Sequence, residues 1–233
     1  MIPLFLLLPP FGFVQQAPAS QTTLFVNCQE NERPKSVFSP VSLSEGGKWR
    51  AYVEVQSDLE CLLTTRLWVA RANASYRLVY LMPPKRTAGG NGMEILGWAR
   101  NSRMLLVKTA EWQWGSDAGD TQQVLAIDAG TGVVYEPELQ AILEARKDQN
   151  CLLRIGDAGF SDDKNVNILI RAKLSTAHEV DETENDVPPA MRCGNAEETW
   201  SFNFASGEIK QVANTLPLQL FKNSLPNRPE PRR

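Results

Sequence analysis

The stretch that decides the fold is Ser44-Glu45-Gly46-Gly47-Lys48-Trp49-Arg50-Ala51-Tyr52-Val53, a polar turn that runs directly into an apolar strand. The same order of polar turn and apolar strand returns at Ala99–Val107 and at Ser161–Ile170. The turns start at residues 44, 99 and 161, so successive units are offset by 55 and 62 residues. A repeat of this length is typical of propeller blades or of an array of similar units.

Each unit divides into four short segments that are rich in Val, Ile, Leu, Trp and Tyr and separated by Gly, Asn, Asp and Ser. Gly46-Gly47 and Gly130-Thr131-Gly132 supply residues that tolerate positive φ, which tight hairpins require. Four antiparallel strands joined by polar hairpins make the blade of a β-propeller. The predicted strands are 37–41, 49–55, 65–70 and 76–81 in the first unit, 93–98, 104–109, 123–128 and 133–135 in the second, and 152–158, 166–172, 200–204 and 208–212 in the third.

These units carry a family resemblance. Ser44–Tyr52 resembles the Ser-Pro-Asp-Gly-Lys turn of TolB-type and peptidase-associated β-propeller repeats, and Ile127–Gly132 is similar to their strand-end turn. The resemblance covers about residues 37–212, although Glu45, Arg100 and Asp162 stand where the family has proline. It implies blade-like units, but three blades fall short of the roughly four to eight that close a ring.

The predicted fold class is therefore all-β, with three four-stranded antiparallel propeller-like blades over 37–81, 93–135 and 152–212, each forming a separate sheet. The blades form an open or incomplete propeller, or a ring that a partner completes, and a single β-sandwich is the alternative. One short helix is predicted at 137–147, because it begins with proline and an acid and ends with two bases. The domain spans 20–215, and 216–233 is predicted to be a largely disordered tail.

The N-terminal segment has the pattern of a signal peptide. Residues 2–14 are almost all apolar, and Ala17-Pro18-Ala19 is a small-x-small site, which predicts cleavage before Ser20. The apolar run of about a dozen residues is too short to cross a bilayer of roughly 30 Å as a helix. We expect a secreted or periplasmic protein with no transmembrane helix in its mature form; an uncleaved anchor and a buried N-terminal segment are the alternatives.

Four widely spaced cysteines fit an oxidising compartment. The chain has no Cys-x-x-Cys pair, so the sequence contains no motif for a zinc site or for a thioredoxin-like redox site. We predict two disulfides, Cys28 with Cys61 and Cys151 with Cys193, because nearest pairs fall within one structural unit each. Four free buried thiols are the alternative.

Composition excludes several classes of function. Lys and Arg number 24 against 27 Asp and Glu, giving a net charge of -3, so the chain has no bulk positive field for nucleic acid. Its one histidine, His178, lies in a charged stretch that we read as a solvated loop. No Gly-x-Ser-x-Gly elbow is present. The sequence assigns no catalytic residue, no metal ligand and no cofactor.

Two segments hold candidate ligand contacts. Trp112 and Trp114 lie at i and i+2 and share one face of an extended segment, where they either stack on a sugar or protein or cover the core at a hairpin. The insertion 174–198 is predicted to be exposed, mobile and dispensable for folding, apart from Cys193. Its acids, read as a solvated run or as calcium ligands, are Glu179, Asp181, Glu182, Glu184 and Asp186.

The function predicted from these observations is a secreted or periplasmic, non-enzymatic binding or scaffold protein with a protein or glycan ligand. Propeller-like surfaces bind through loops and blade edges, which places specificity in the insertions at 110–121 and 174–198. The alternatives are a carboxylate-dependent hydrolase and the propeller portion of a hydrolase system.

Overall fold

A computed structural model describes Leu24 and residues 33–85, 89–100, 103–113, 121–137, 139, 151–161, 167–176 and 197–225. The described residues form an all-β structure of three antiparallel sheets. The predicted helix at 137–147 and the insertion 174–198 lie largely outside the described residues, as do residues 226–233.

Among the described residues, sheet 1 contains the first five strands and the last one. Its order is β14-β2-β3-β4-β5, with β1 paired to the same side of β3 as β2. A short 3-10 turn, Glu45–Gly47, links β2 to β3. The strands are β1 (Ser36–Phe38), β2 (Val41–Leu43), β3 (Trp49–Ser57), β4 (Leu63–Arg71), β5 (Arg77–Met82) and β14 (Ser224–Leu225).

Sheets 2 and 3 each contain four strands in sequence order. Sheet 2 consists of β6 (Gly89–Trp98), β7 (Met104–Gln113), β8 (Thr121–Asp128) and β9 (Val134–Tyr135). Sheet 3 consists of β10 (Cys151–Phe160), β11 (Asn167–Thr176), β12 (Glu198–Asn203) and β13 (Ile209–Val212).

The prediction of one separate sheet per unit is confirmed, because strands of the three units do not mix within a sheet. Two details of the first unit differ from the prediction. Its first strand, predicted at 37–41, splits into β1 and β2 around Pro40, which has no N–H to donate to a ladder. In addition, β14 joins this sheet from the end of the chain.

The three sheets pack in sequence order and do not close into a barrel or propeller. Sheet 2 lies in the middle, and its strands alternate between two cores. In β7, for example, Leu105 and Val107 face the core shared with sheet 1, whereas Leu106 faces the core shared with sheet 3. Each core thus holds two sheets together, so sheet 1 and sheet 3 each keep one face turned away from sheet 2.

Residues 213–225 are here named the C-terminal clasp, and they include the described part of the segment 216–233 that the sequence predicts to be a largely disordered tail. The clasp crosses sheet 3 first, where the Arg171 guanidinium donates to the carbonyls of Asn214 and Leu216. It then forms a bridge to β10 at Gln219, a bridge to β6 at Phe221, and the strand β14 beside β2. The clasp therefore contacts all three sheets and covers part of the face of sheet 3 that points away from sheet 2.

Equivalent turns recur in the three units. Ser44, Ala99 and Ser161 open the first turn of each unit, and each donates its amide to the carbonyl of the residue five or six positions later. A second turn recurs in units two and three. The side chains of Asp128 and Asn203 each accept hydrogen bonds from the amides two and three residues ahead.

Asp128 gives one of these turns a dependence on pH. Burial acts to raise its pKa, but hydrogen bonds from the Thr131 and Gly130 amides and the Arg103 guanidinium, 2.8 Å away, outweigh burial and lower it. A carboxylate whose pKa is lowered by folding stabilises the fold above its unfolded pKa of about 3.9, and that stabilisation is lost as the pH falls through the folded pKa.

We therefore expect Asp128→Asn to lower the free energy of unfolding by about 0.5–1 kcal/mol at pH 7, since the Arg103 side chain is largely exposed and its ion pair is screened. The difference from the wild type should shrink as the pH is lowered below about 4. Urea unfolding across this pH range measures it. Asn203→Ala is the matched control, because loss of the neutral cap should cost the same at every pH. If Asp128→Asn lowered the free energy of unfolding by the same amount at every pH, the result would contradict a role for the Asp128 charge.

Candidate functional site

The face of sheet 1 that points away from sheet 2 is built by strand alternation. In β3, Ala51 and Val53 enter the core, so Arg50, Tyr52 and Glu54 point the other way. In β4, Leu67 and Val69 enter the core. Arg66 and Trp68 therefore lie on the outward face, beside the outward residues of β3. We name this surface the aromatic face, and it comprises Phe38, Arg50, Tyr52, Glu54, Arg66, Trp68 and Tyr76.

Tyr52 lies at the centre of the aromatic face. Its ring stacks on Trp68 at 6.4 Å between centroids with an interplanar angle of 18°, and it meets Tyr76 edge-on at 4.7 Å. Phe38 contacts the same ring from the neighbouring β1, at 6.1 Å. Aromatic pairs in such geometries contribute about 0.5–1.5 kcal/mol each beyond their buried area. The rings therefore form a fixed platform rather than independent side chains.

Charged groups orient this platform. The Glu54 carboxylate accepts a hydrogen bond from the Trp68 indole N–H at 2.9 Å and lies 3.9 Å from the Arg66 guanidinium. Arg50 lies over the Tyr76 ring at 4.7 Å and donates to the Ala74 carbonyl. A guanidinium held over an aromatic face makes a cation–π contact. Both arginines thus present their charge in defined positions.

The two central tyrosines stay protonated over the whole physiological range. Burial, then the Glu54 carboxylate and then Tyr76, raises the pKa of Tyr52 to about 12. Burial also raises the pKa of Tyr76, and the Arg50 guanidinium opposes part of that rise. The aromatic face therefore holds two neutral phenols between two arginine side chains and one carboxylate, with Tyr52 buried and Tyr76 half-buried.

Exposed leucines border the aromatic face on β5. Leu78 lies opposite Trp68 in the strand register and is 43% exposed, and Leu81 lies opposite Arg66 and is 46% exposed. Partly exposed apolar side chains beside aromatic rings and arginine are typical of the centre of a protein–protein contact. The alternation Arg50-x-Tyr52-x-Glu54 beside Arg66-x-Trp68 is the sequence signal for this surface.

Of the predicted ligand contacts, Trp112 is the one whose side chain the structure describes. It is half-buried and packs against the core between sheets 1 and 2. Its ring lies over Gly90, where an added Cβ would come within 2.5 Å of the indole. Trp114 and the acidic residues Glu179, Asp181, Glu182, Glu184 and Asp186 lie outside the described residues. Their role as ligand contacts stays a prediction.

The cysteine pairs also stay predictions. Cys61 follows β3 in the turn to β4 and does not carry a free thiol. The side chains of Cys28, Cys151 and Cys193 lie outside the described part of the chain.

In the part of the chain that the structure describes, several acidic residues form ion pairs with bases. Glu94 pairs with Lys108 at 3.1 Å, and Glu111 contacts Lys85. Within the same residues no group of three or more His, Cys, Asp or Glu side chains could hold a metal ion.

No protein-family model matches the chain, and comparison with curated proteins finds no relative. A search of the described residues for a helix long and apolar enough to span a membrane finds none.

Proposed function

We propose that this chain is a secreted or periplasmic, non-enzymatic binding or scaffold protein built from three propeller-like blades in an open arc, and that the aromatic face binds a protein partner. The observation that carries the proposal is the composition of that face. Tyr, Trp and Arg dominate the energetics of protein interfaces, and here they occur together next to two exposed leucines.

The rigidity of the surface supports the proposal. β3 and β4 form a nine-residue antiparallel ladder whose opposite face is fully packed against sheet 2. Arg50, Glu54 and Trp68 are held by hydrogen bonds or ring contacts within the face. A surface that is already ordered loses less conformational entropy when it binds.

The blade architecture supports a macromolecular partner over a small ligand. In a stack of sheets, each face is suited to cover a neighbouring sheet, and sheets 1 and 2 pack in this way. The outward face of sheet 3 carries the clasp, through Arg171 and Gly159. The aromatic face occupies the corresponding position at the other end of the stack, so we propose that a partner protein covers it. The TolB-type resemblance fits such a blade surface.

The location outside the cytoplasm rests on the sequence. The apolar residues 2–14 and the Ala17-Pro18-Ala19 site favour export, and the predicted Cys28–Cys61 and Cys151–Cys193 bonds would form after it.

Site-specific photo-crosslinking tests the partner surface. A benzoyl-phenylalanine at Leu81 should give one saturable cross-linked species with a protein of the native compartment, and unlabelled wild-type protein should compete with it. The same group at Val133, which is 48% exposed in the turn before β9, is the matched control and should give no such cross-link. Trp68→Ala and Arg66→Glu should each weaken the Leu81 cross-link at least about tenfold, as expected for interface anchors.

Two outcomes would contradict the proposal. Equal cross-linking from Leu81 and Val133 would show that the aromatic face has no preference for a protein. Quenching of Trp68 fluorescence by an oligosaccharide, with no protein cross-link, would assign the face to a glycan instead.

A further inference from the structure

We propose that the ends of the three inner strands form a binding site for an extended peptide, and that residues 217–225 of the clasp are its resident occupant. The inner strands are β2, β6 and β10, the strand that precedes the first turn in each unit. The proposal does not depend on the aromatic face, because the residues that build the two sites differ.

The same structural position, the last residue of the inner strand, contributes to the site in all three units. Leu43 ends β2, Trp98 ends β6 and Phe160 ends β10, and each directly precedes the residue that opens the first turn of its unit. The clasp meets these positions at every second residue, with Gln219 at Phe160, Phe221 at Trp98 and Asn223 at Leu43. Alternate residues of an extended chain are spaced by about 7 Å. The ends of the three inner strands therefore pair with alternate residues of one extended segment.

Recognition of the clasp uses mainly its backbone. Gln219 and Phe160 exchange two amide–carbonyl bonds of 2.9 Å, and Phe221 and Trp98 exchange bonds of 2.8 and 3.0 Å. The Leu43 amide donates to the Asn223 carbonyl at 2.8 Å. Addition of a strand through main-chain bonds is a general mode of peptide binding, with side-chain pockets adding specificity.

Two neighbouring side chains of the clasp supply that specificity. Leu220 packs against the core between sheets 2 and 3, and Phe221 packs against the core between sheets 1 and 2. Gly159 and Gly97 allow the backbone to approach, because an added Cβ would lie 2.8 Å from the Leu218 Cβ and 3.0 Å from the Phe221 carbonyl oxygen. The ligand class is an extended peptide with two adjacent apolar residues at these positions.

The clasp is held sparsely enough to be replaced. It forms a single bridge to each of sheets 2 and 3, whereas β6 and β7 pair along their whole length. Residues 222–225 are exposed, and residues 218–221 are half-buried. Segments with few buried contacts and exposed backbone bonds open locally before the fold as a whole does.

The test uses the full chain with a disabled clasp, Gln219→Pro together with Phe221→Pro, because proline removes both donors. The probe is a fluorescein-labelled synthetic peptide with the sequence of residues 213–225. We expect saturable binding to the variant and a rise of its Tm with peptide concentration. A peptide N-methylated at Gln219 and Phe221 should bind at least about tenfold more weakly, because two donors are lost. A peptide with Lys222→Ala, whose side chain is exposed, is the control and should bind like the parent.

A folded variant that binds no peptide up to about 1 mM, the weakest affinity of interest, would overturn the proposal. Equal binding of the N-methylated and parent peptides would overturn it too. If the variant fails to fold, hydrogen exchange of the wild-type chain decides. Exchange of the Gln219 and Phe221 amides at least about tenfold faster than that of Leu106 supports a replaceable clasp, since it reports local opening. Equal exchange rates would show that the clasp leaves only on global unfolding and would overturn the proposal.

Discussion

Truncation of Trp98 to alanine is expected to lower the free energy of unfolding by about 3–5 kcal/mol, the usual cost of deleting a large buried aromatic side chain. Trp98 has no exposed surface and lies in the core between sheets 1 and 2. Its indole N–H donates to the buried Ser42 hydroxyl at 3.0 Å, and its backbone exchanges two bonds with Phe221. One residue of sheet 2 therefore joins sheet 1 and the clasp.

Urea unfolding followed by circular dichroism measures this loss, and two further variants separate its causes. Trp98→Phe keeps most of the ring but leaves Ser42 without its donor, so we expect it to cost about 1–3 kcal/mol. Trp68→Ala removes an equal side chain from the half-buried aromatic face and should cost clearly less than Trp98→Ala, because its cavity would open to solvent. Equal losses for Trp98→Ala and Trp68→Ala would contradict the assignment of Trp98 to the core.

The three units could be predicted because their signals are local. Apolar residues alternate along the strands, and the turns at 44, 99 and 161 carry residues with strong turn preferences. Each sheet then pairs segments that follow one another in the sequence, so the topology followed from the order of the strands. The split of the first strand into β1 and β2 could also be predicted from the sequence, since Pro40 removes a ladder donor at that point.

The clasp was missed because its structure depends on partners far away in the sequence. Gln219 pairs with Phe160 and Ser224 pairs with Ser42, and no local turn in the sequence predicts either pairing. The prolines at 226, 229 and 231 made the whole end of the chain resemble a disordered tail. One local signal was present, the alternation Leu216-x-Leu218-x-Leu220, which is the period of a strand.

The aromatic face was missed for a different reason. The pattern of β3 and β4 shows that both faces carry bulky side chains, but it does not show which of the two faces another sheet covers. Trp49 and Trp68 both lie in predicted strands, yet Trp49 packs in the core and Trp68 lies on the outward face. Which face is covered depends on the order in which whole sheets stack, and that order is a tertiary property.

Gly159→Ala should lower the free energy of unfolding by about 1–3 kcal/mol, as overpacking does. Ordinarily alanine stabilises a strand relative to glycine. At this position, however, the new Cβ would lie 2.8 Å from the Leu218 Cβ and 3.1 Å from the Gln219 amide nitrogen. The clasp backbone would have to move away from β10, and the two bonds between Gln219 and Phe160 would lengthen.

Gly156→Ala in the same strand is the matched control for this prediction. Its new Cβ would meet the Glu197 carboxylate at 2.6 Å, the far end of a flexible and exposed side chain that can turn aside. We therefore expect Gly156→Ala to change the free energy of unfolding by less than about 0.5 kcal/mol, as surface substitutions usually do. Chemical denaturation of the two variants measures the contrast.

A double-mutant cycle assigns the loss at Gly159 to the clasp itself. In a chain that already carries Gln219→Pro and Phe221→Pro, the clasp no longer presses on β10, so Gly159→Ala should cost at least about 1 kcal/mol less than it does in the wild type. Contacting residues that share a backbone shift show coupling of this size, whereas distant independent sites add. Equal costs of Gly159→Ala in both backgrounds would mean that the alanine clashes within sheet 3 and that the clasp contributes nothing there.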